Sequence, residues 1–503
     1  MIRRFIILVF VFANALAGFS QNKKPNIILF YVDDLGYGDV SCYGAITLRT
    51  PNVDKLADGG LRFTDAHCAA ATCTPSRFSL LTGVYAFRNK AAILPGDAPL
   101  LFKPGTQTVA TMLQRNGYAT GVVGKWHLGL GNGTIDWNGT ITPGPESIGF
   151  QYSFLIPATT DRVPTVYVEN GKVPNLDVND PIKVSYTNRI GDEPTGLSHP
   201  QLLKQKADTQ HSNTITNGIS RIGYMTGGKS ARWVDEEIPF VLNEKAKSFI
   251  IKNQKQPFFL YYPFPNIHVP RTPNKQFVGN TNMGARGDVI VEMDWMVGEV
   301  MKLLDSLQLT ENTLVIFTSD NGPVLDDGYA DFAEQLVGNH KPSGIYRGGK
   351  YSAYEAGTRV PTIIYWKGKI KPTVSKALVS QVDFYKTVAA LINAKLQDNE
   401  ATDSENQLAA WLGKTNKGRI WMLEESYTFS LRKNNWKFIA AVEGTVPGWF
   451  RNKKVESGLS SEVQLYNLDK DPSEQKNLAK QYPSMIQEFQ QQLNQIRQSS
   501  KIK

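Results

Sequence analysis

A cysteine opens the segment Cys73-Thr74-Pro75-Ser76-Arg77, which runs through Phe78-Ser79 into Leu80-Leu81-Thr82-Gly83. Pro75 suits the first turn of a helix, where its missing N–H would go unpaired anyway, and Gly83 suits the far end. Cys73 then stands at a helix N-terminus, where free N–H groups and the dipole favour an anion and lower a thiol pKa. Arg77 is one turn further on and can reach back over the same anion with a planar fork of donors. Taken alone, these residues are more simply read as a buried small side chain and a surface cation. The choice depends on what the rest of the chain places beside them.

A second group of polar residues follows apolar runs: Asp33 and Asp34, Lys125 and His127, His268, Asp320 and Asn321, and Lys350 after a Gly-rich loop. Three carboxylates and an amide oxygen are hard ligands, suited to calcium or magnesium and not to zinc. The remaining groups are cations and donors suited to a tetrahedral oxyanion. Each has a plain alternative: a solvated Asp-Gly turn, a core histidine, a surface lysine. Their shared place at strand ends argues for one site, because open α/β sheets gather ligand residues at the carboxyl ends of strands.

The elements that must position these residues alternate. Pro25–Val32, Gly117–His127, Pro257–Tyr262, Thr313–Thr318 and Thr362–Trp366 read as buried strands, and Leu61–Ala66 as a further strand. Helical spacing occurs over Thr50–Ala57, Thr106–Asn116, Asn243–Lys252 and Val289–Leu307. This predicts an α/β fold, a doubly wound and mainly parallel sheet flanked by helices. Asn132–Trp233 has no long periodic segment and reads as a loop insertion of the kind that builds a cleft. Beyond about Asn393, short strands and a final helix over Ser484–Ile496 predict a smaller α+β unit. The expected division is a signal peptide at 1–20, a catalytic domain at 21–393 and a C-terminal subdomain at 394–503.

The 503 residues are 41% hydrophobic and 20% charged, which excludes disorder as the default. Met1–Ser20 carries Arg3-Arg4, an apolar run and Ala15-Leu16-Ala17, the pattern of a secretory signal, so the expected location is periplasmic or secreted. No later stretch reads as a membrane span. Without Arg3 and Arg4 the formal charge falls from +9 to +7, with Lys and Arg dispersed and no basic stripe for nucleic acid. Three cysteines are too few for a disulfide framework, and Cys42 and Cys68 are free thiols or one bridge.

The chain resembles the type I, formylglycine-dependent sulfatases of the alkaline phosphatase-like superfamily. Cys73–Arg77 with Leu80–Gly83 matches the family's first signature, and Gly117-Tyr118 through Gly124-Lys125-Trp126-His127 its second. Asp33-Asp34, Ile267-His268-Val269-Pro270, Asp320-Asn321-Gly322, Gly349-Lys350 and the segment Leu465–Glu474 occur in the family's order. The resemblance implies that Cys73 is oxidised to formylglycine by a maturation enzyme, its hydrated aldehyde being the nucleophile. It also implies that Asp33, Asp34, Asp320 and Asn321 hold one calcium ion, ranked ahead of magnesium, which also binds residue 73.

In the same terms Arg77 and Lys125 fix the hydrate and neutralise the sulfuryl group. Lys350 and His268 lie on the leaving-group side, with His268 as general acid. His127 takes the proton that lets a covalent sulfate intermediate break down. The implied activity is hydrolysis of sulfate esters on a sulfated carbohydrate, 6-O-sulfated galactose or N-acetylhexosamine units ranking first. His211, Arg271, His340 and Arg347 lie in loops near the motifs and are the candidate sugar or sulfate contacts, each with a structural role as the competing reading. The alternatives are a phosphate or phosphonate ester hydrolase of the same superfamily and a non-catalytic glycan-binding relative, which would have lost site residues.

Overall fold

The computed structural model describes residues 24–443 and 446–499; the signal segment read over 1–20 lies outside them. In chain order the strands of the main sheet are β1 (Asn26–Val32), β2 (Leu61–Phe63), β3 (Ala119–Lys125), β4 (Tyr152–Ile156), β5 (Val168–Glu169), β6 (Phe258–Pro263), β7 (Thr313–Ser319), β8 (Thr362–Tyr365) and β9 (Thr373–Ser375). Their spatial order is β9-β2-β8-β7-β1-β6-β3-β4-β5. The five strands β7, β1, β6, β3 and β4 are mutually parallel, and β8 and β5 run antiparallel beside them. All five parallel strands therefore end on one edge, and that edge carries the chemistry.

The continuous apolar runs are explained by packing on both faces. Along β1, Ile27, Leu29 and Tyr31 enter one core layer while Ile28, Phe30 and Val32 enter the other, as a period of two requires. The first layer is covered by α2 (Cys73–Thr82), α3 (Val109–Arg115) and α6 (Phe384–Leu391). The second is covered by α1 (Pro51–Gly59), α4 (Ile238–Asn253) and α5 (Gly284–Ser306). A smaller antiparallel sheet, β10 (Met422–Glu425), β11 (Phe429–Lys433), β12 (Trp436–Ile439) and β13 (Gln464–Asn467), packs Leu423, Leu431, Phe438 and Leu465 against Ile486, Phe489 and Leu493 of α7 (Pro483–Gln498). The fold is thus the expected mainly parallel sheet with a small C-terminal α+β unit.

Two local expectations change. The strand read over Leu61–Ala66 breaks at Thr64, whose N–H bonds the carbonyl of Ser375, and pairing resumes as a separate bridge at Ala66–His67. The insertion read over Asn132–Trp233 contributes β4 and β5 to the main sheet. Tyr152–Ile156 is only five residues long, and so short an apolar run does not declare itself as strand from periodicity. The rest of the insertion holds short antiparallel pairs of two or three residues per strand, such as Lys183–Ser185 with Tyr224–Thr226. Among the described residues no helix is long and apolar enough to cross a membrane.

Candidate active site

Helix α2 begins at Cys73, and every residue from Cys73 to Thr82 is buried. Gly83 ends it at φ 66°, and a Cβ there would meet Ala401 Cβ at 2.5 Å. Position 83 therefore needs glycine on two counts, conformation and space. The helix points its N-terminus at the carboxyl edge of the sheet. There β1 delivers Asp33 and Asp34, β7 delivers Asp320 and Asn321, β3 delivers Lys125 and His127, and the loop after β6 delivers His268.

These residues form one connected cluster. Cys73 Sγ lies 3.7 Å from Asp33 Oδ1, and Asp33 also pairs with Lys125. Arg77 donates from Nε (3.0 Å) and Nη2 (2.7 Å) to Asp320 Oδ2. Asn321 donates to Asp34 Oδ1 at 2.7 Å, and Lys350 Nζ donates to Asp34 Oδ2 and Asp327 Oδ2 at 2.9 Å each. His268 Nδ1 lies 2.6 Å from the carbonyl of Val269, so Nε2 faces inward, 3.9 Å from both Asp34 and Asp327. Asp34 and His127 are non-glycine residues held in the left-handed region, at φ 61° and 54°.

Electrostatics follow from burial. Desolvation pushes the Cys73 thiol well above its ordinary range, against the pull of Lys125 and Lys350. The thiol pKa is therefore raised, where a helix N-terminus alone would lower it, because loss of hydration outweighs the pull of the two lysines. Burial likewise raises Asp33 and Asp34, with repulsion from Asp320 adding to it, while Lys125 and Lys350 oppose it. Asp320 is lowered despite its burial because Arg77 and Lys125 face it. His127 and His268 are both held well below the usual histidine range, by burial first and then by the neighbouring lysines.

The cluster fits a hard divalent cation. Ligand atoms of Asp33, Asp34 and Cys73 lie within 4.8 Å of one another. Asn321 Oδ1 is buried and has no hydrogen-bond partner among the described residues. A buried amide oxygen with no other partner, beside two carboxylates, is a hard-oxygen donor set suited to such an ion.

A cavity of about 280 Å³ opens above Cys73 and is lined by His127, His268 and Lys350 from the cluster. It is also lined by His211, whose Nδ1 is 2.7 Å from Asp208 and whose Nε2 is 3.4 Å from Asp161. Arg271, His340 and Arg347 do not line it. Arg271 ties Ile267 O to Asp331 and Val324 O, His340 bonds Asp39 and Thr47, and Arg347 pairs with Glu456 over the ring of Tyr354. Cys42 and Cys68 are free thiols.

Sequence reasoning missed Asp161, Arg162, Asp327, Tyr351 and Lys453, which also line the cavity. A signal existed for the first two. They follow β4, so recognising that strand would have placed them at the functional edge. Asp327 follows Asp320 in the same loop. Lys453 arrives from the C-terminal part of the chain, without a pattern to announce it.

Comparison with known proteins supports the same reading. The Sulfatase family model matches residues 25–394. The chain is 51% identical over 482 residues to an N-acetylgalactosamine-6-O-sulfatase of Bacteroides thetaiotaomicron, covering 95% of this chain and 94% of that protein. It is 32% identical to human arylsulfatase A, over 92% of this chain and 85% of that one. A solved structure from work on the metabolism of multiple glycosaminoglycans by Bacteroides thetaiotaomicron superposes with a TM-score of 0.92 at 51% identity, covering 94% of this chain and 99% of that one. With a buried cysteine at a helix start, a carboxylate cluster beside it and these matches along almost its whole length, the chain belongs to the sulfatase family of the alkaline phosphatase-like superfamily and is a sulfuric ester hydrolase.

Proposed function

We propose that the chain is an exported hydrolase that removes the 6-O-sulfate from N-acetylgalactosamine units of a sulfated glycan, with residue 73 carried as formylglycine. The observation that carries this reading is the 51% identity, spread over 95% of the chain, to a protein named for that reaction. The signal pattern at Met1–Ser20 supports export. Residues 21–393 carry the chemistry in this reading, and 394–503 close the cavity through Lys453.

Formylglycine supplies an aldehyde hydrate as the nucleophile toward sulfur. One calcium ion, which Asp33, Asp34, Asp320 and Asn321 would hold, would supply Lewis acidity. The other roles belong to side chains of this chain. Cys73 is 2% exposed, so its oxidation by a maturation enzyme belongs to a stage before the fold closes over it. Arg77 locks Asp320 with two hydrogen bonds and keeps positive charge beneath the sulfate. Lys125 does the same at Asp33.

His127 Nε2 faces the carbonyl of Leu94, which leaves Nδ1 as a neutral base at the cavity wall. His268 presents Nε2 on the Lys350 side of the cavity. An anionic substrate favours its imidazolium, which then has a proton for the departing ester oxygen, released as the sugar hydroxyl.

The test is sulfate release by matured protein from N-acetylgalactosamine, galactose and N-acetylglucosamine, each 6-O-sulfated. Turnover of the first well above the others is expected, and Cys73→Ala should abolish it while folding is kept. Unchanged release by that variant, or equal turnover of all three sugars, would refute the mechanism or the sugar assignment respectively.

A further inference from the structure

Lys453 is the least well matched of the cations lining the cavity, since Lys350 pairs with Asp34 as well as with Asp327. Asp327, 7% exposed, lies between two ammonium groups that are each 2% exposed: Lys350, 2.9 Å from Oδ2, and Lys453, 3.0 Å from Oδ1. Lys453 Nζ makes no hydrogen bond among the described residues, its approach to Asp327 having the distance but not the angles of one. The next carboxylate, Asp208, is 3.9 Å away and is engaged by His211. Arg162, by contrast, is matched by its own neighbour Asp161 at 3.0 Å. A buried ammonium with spare donors and a shared counter-ion is unfavourable until an anion reaches it.

Its position is also built. Lys453 ends the short turn Gly448–Lys453, and Phe450 of that turn packs edge-on against Tyr351 (5.7 Å) and Tyr427 (5.9 Å). Tyr351 directly follows Lys350, so the turn is fastened to the segment that carries the leaving-group lysine. Nothing in the sheet topology requires a cation from the C-terminal unit at this place.

Resting on the sulfatase reading above, we infer that Lys453 forms a second anion subsite, taking a carboxylate or a second sulfate ester carried by the same glycan beside the sulfate that is cleaved. The cavity is at the small end for ligand sites. The second anion therefore belongs to the sulfated sugar itself or to the residue joined directly to it. The substrate class this implies is a doubly charged unit, either a disulfated hexosamine or a hexuronate joined to the sulfated hexosamine.

The experiment compares the matured full-length wild type with Lys453→Met, which keeps the stem, and Lys453→Arg, which keeps the charge. Three substrates are used: 6-O-sulfated N-acetylgalactosamine, its 4,6-disulfated form, and a hexuronate joined to the 6-O-sulfated sugar. Lys453→Met is expected to raise KM for one of the doubly charged substrates about tenfold more than for the singly charged one, a typical scale for one desolvated charge pair. Lys453→Arg should recover most of that difference, and the arm that responds identifies the anion. In the wild type, added salt should raise KM for that substrate more than for the singly charged one, a readout that does not depend on the variants folding.

Equal KM changes on all three substrates, or a loss confined to kcat, would overturn the inference while leaving the sulfatase reading in place. Wild type that turns over none of the three would overturn the substrate reading and this inference with it.

Discussion

His127 Nε2 lies 2.9 Å from the carbonyl oxygen of Leu94, and this contact decides which nitrogen of the ring can accept a proton. A carbonyl only accepts, so Nε2 carries the hydrogen and Nδ1 holds the lone pair. Nδ1 is buried and has no partner among the described residues. Burial, with Lys125 and Arg162 nearby, keeps the ring neutral well below the usual histidine range.

The first prediction concerns that base. His127→Gln should lower kcat by about 10²–10⁴ with little change in KM, the range for loss of a positioned general base. Because the folded pKa is depressed, the neutral form persists as pH falls through 6.5. In the unliganded protein, NMR titration of His127 should therefore give a midpoint below 6.5. A midpoint at or above that value would overturn the assignment of a buried, neutral ring.

The site was largely legible because its residues stand in short contiguous blocks after hydrophobic strands. Asp33-Asp34 and Asp320-Asn321 are adjacent pairs, and the strands before them are buried on both faces. The cavity wall was not legible in the same way. Asp161 and Arg162 hang on a five-residue strand hidden in an irregular insertion, and Lys453 is brought in by packing of Phe450 that no periodicity encodes. The thiol pKa was misjudged because a sequence shows where a helix starts but not how deeply that start is buried. Of the four loop residues named as contacts, Arg271, His340 and Arg347 are tied to partners outside the cavity. Only His211 lines it.

The second prediction concerns the cation. Without one, Asp33 and Asp34 hold protons more tightly than free carboxylates do, by burial and then mutual repulsion with Asp320. Protons and calcium then compete for the same oxygens, so calcium affinity should weaken as pH falls. Chelation should abolish turnover and lower Tm, with calcium restoring both. At about a hundred times its dissociation constant, calcium should add about 2.7 kcal/mol of stability. Asn321→Ala should lose part of the calcium-dependent rise in Tm while changing the metal-free Tm little. Calorimetric titration and thermal melts at two pH values measure both effects.

The third prediction concerns the end of the catalytic helix. Gly83 sits at φ 66°, and its missing Cβ would fall 2.5 Å from Ala401 Cβ and 3.0 Å from Tyr385 Cβ. Gly83→Ala adds left-handed strain of about 1–2 kcal/mol and overpacking of about 1–3 kcal/mol. Denaturant unfolding should show a loss within the sum of those ranges. Since α2 carries Cys73 at its other end, turnover should fall as well. A variant as stable as the wild type would mean that the segment around Ala401 yields.

The fourth prediction concerns how the C-terminal sheet is fastened to the catalytic helix. Glu425, at the end of β10, accepts from the N–H of Phe87 at 3.2 Å, and its own backbone bonds Ala69 and Ala71 just before α2. Burial raises its carboxyl to about 8, with hydrogen bonds from Phe87 and Ala86 opposing the rise. In the unfolded chain a glutamate titrates near about 4.3. Between these values the folded protein holds a proton that the unfolded chain has released. Stability from this group is therefore full below about pH 4.3 and is lost as pH rises toward 8, with a slope of at most about 1.4 kcal/mol per pH unit. Glu425→Gln keeps the shape and the acceptor but removes the titration. The stability of the wild type relative to Glu425→Gln should thus decline steadily from pH 5 to pH 8 in denaturant melts. A difference that stays flat across that interval would show the carboxylate already ionised in the folded protein, with the Phe87 and Ala86 hydrogen bonds outweighing its burial.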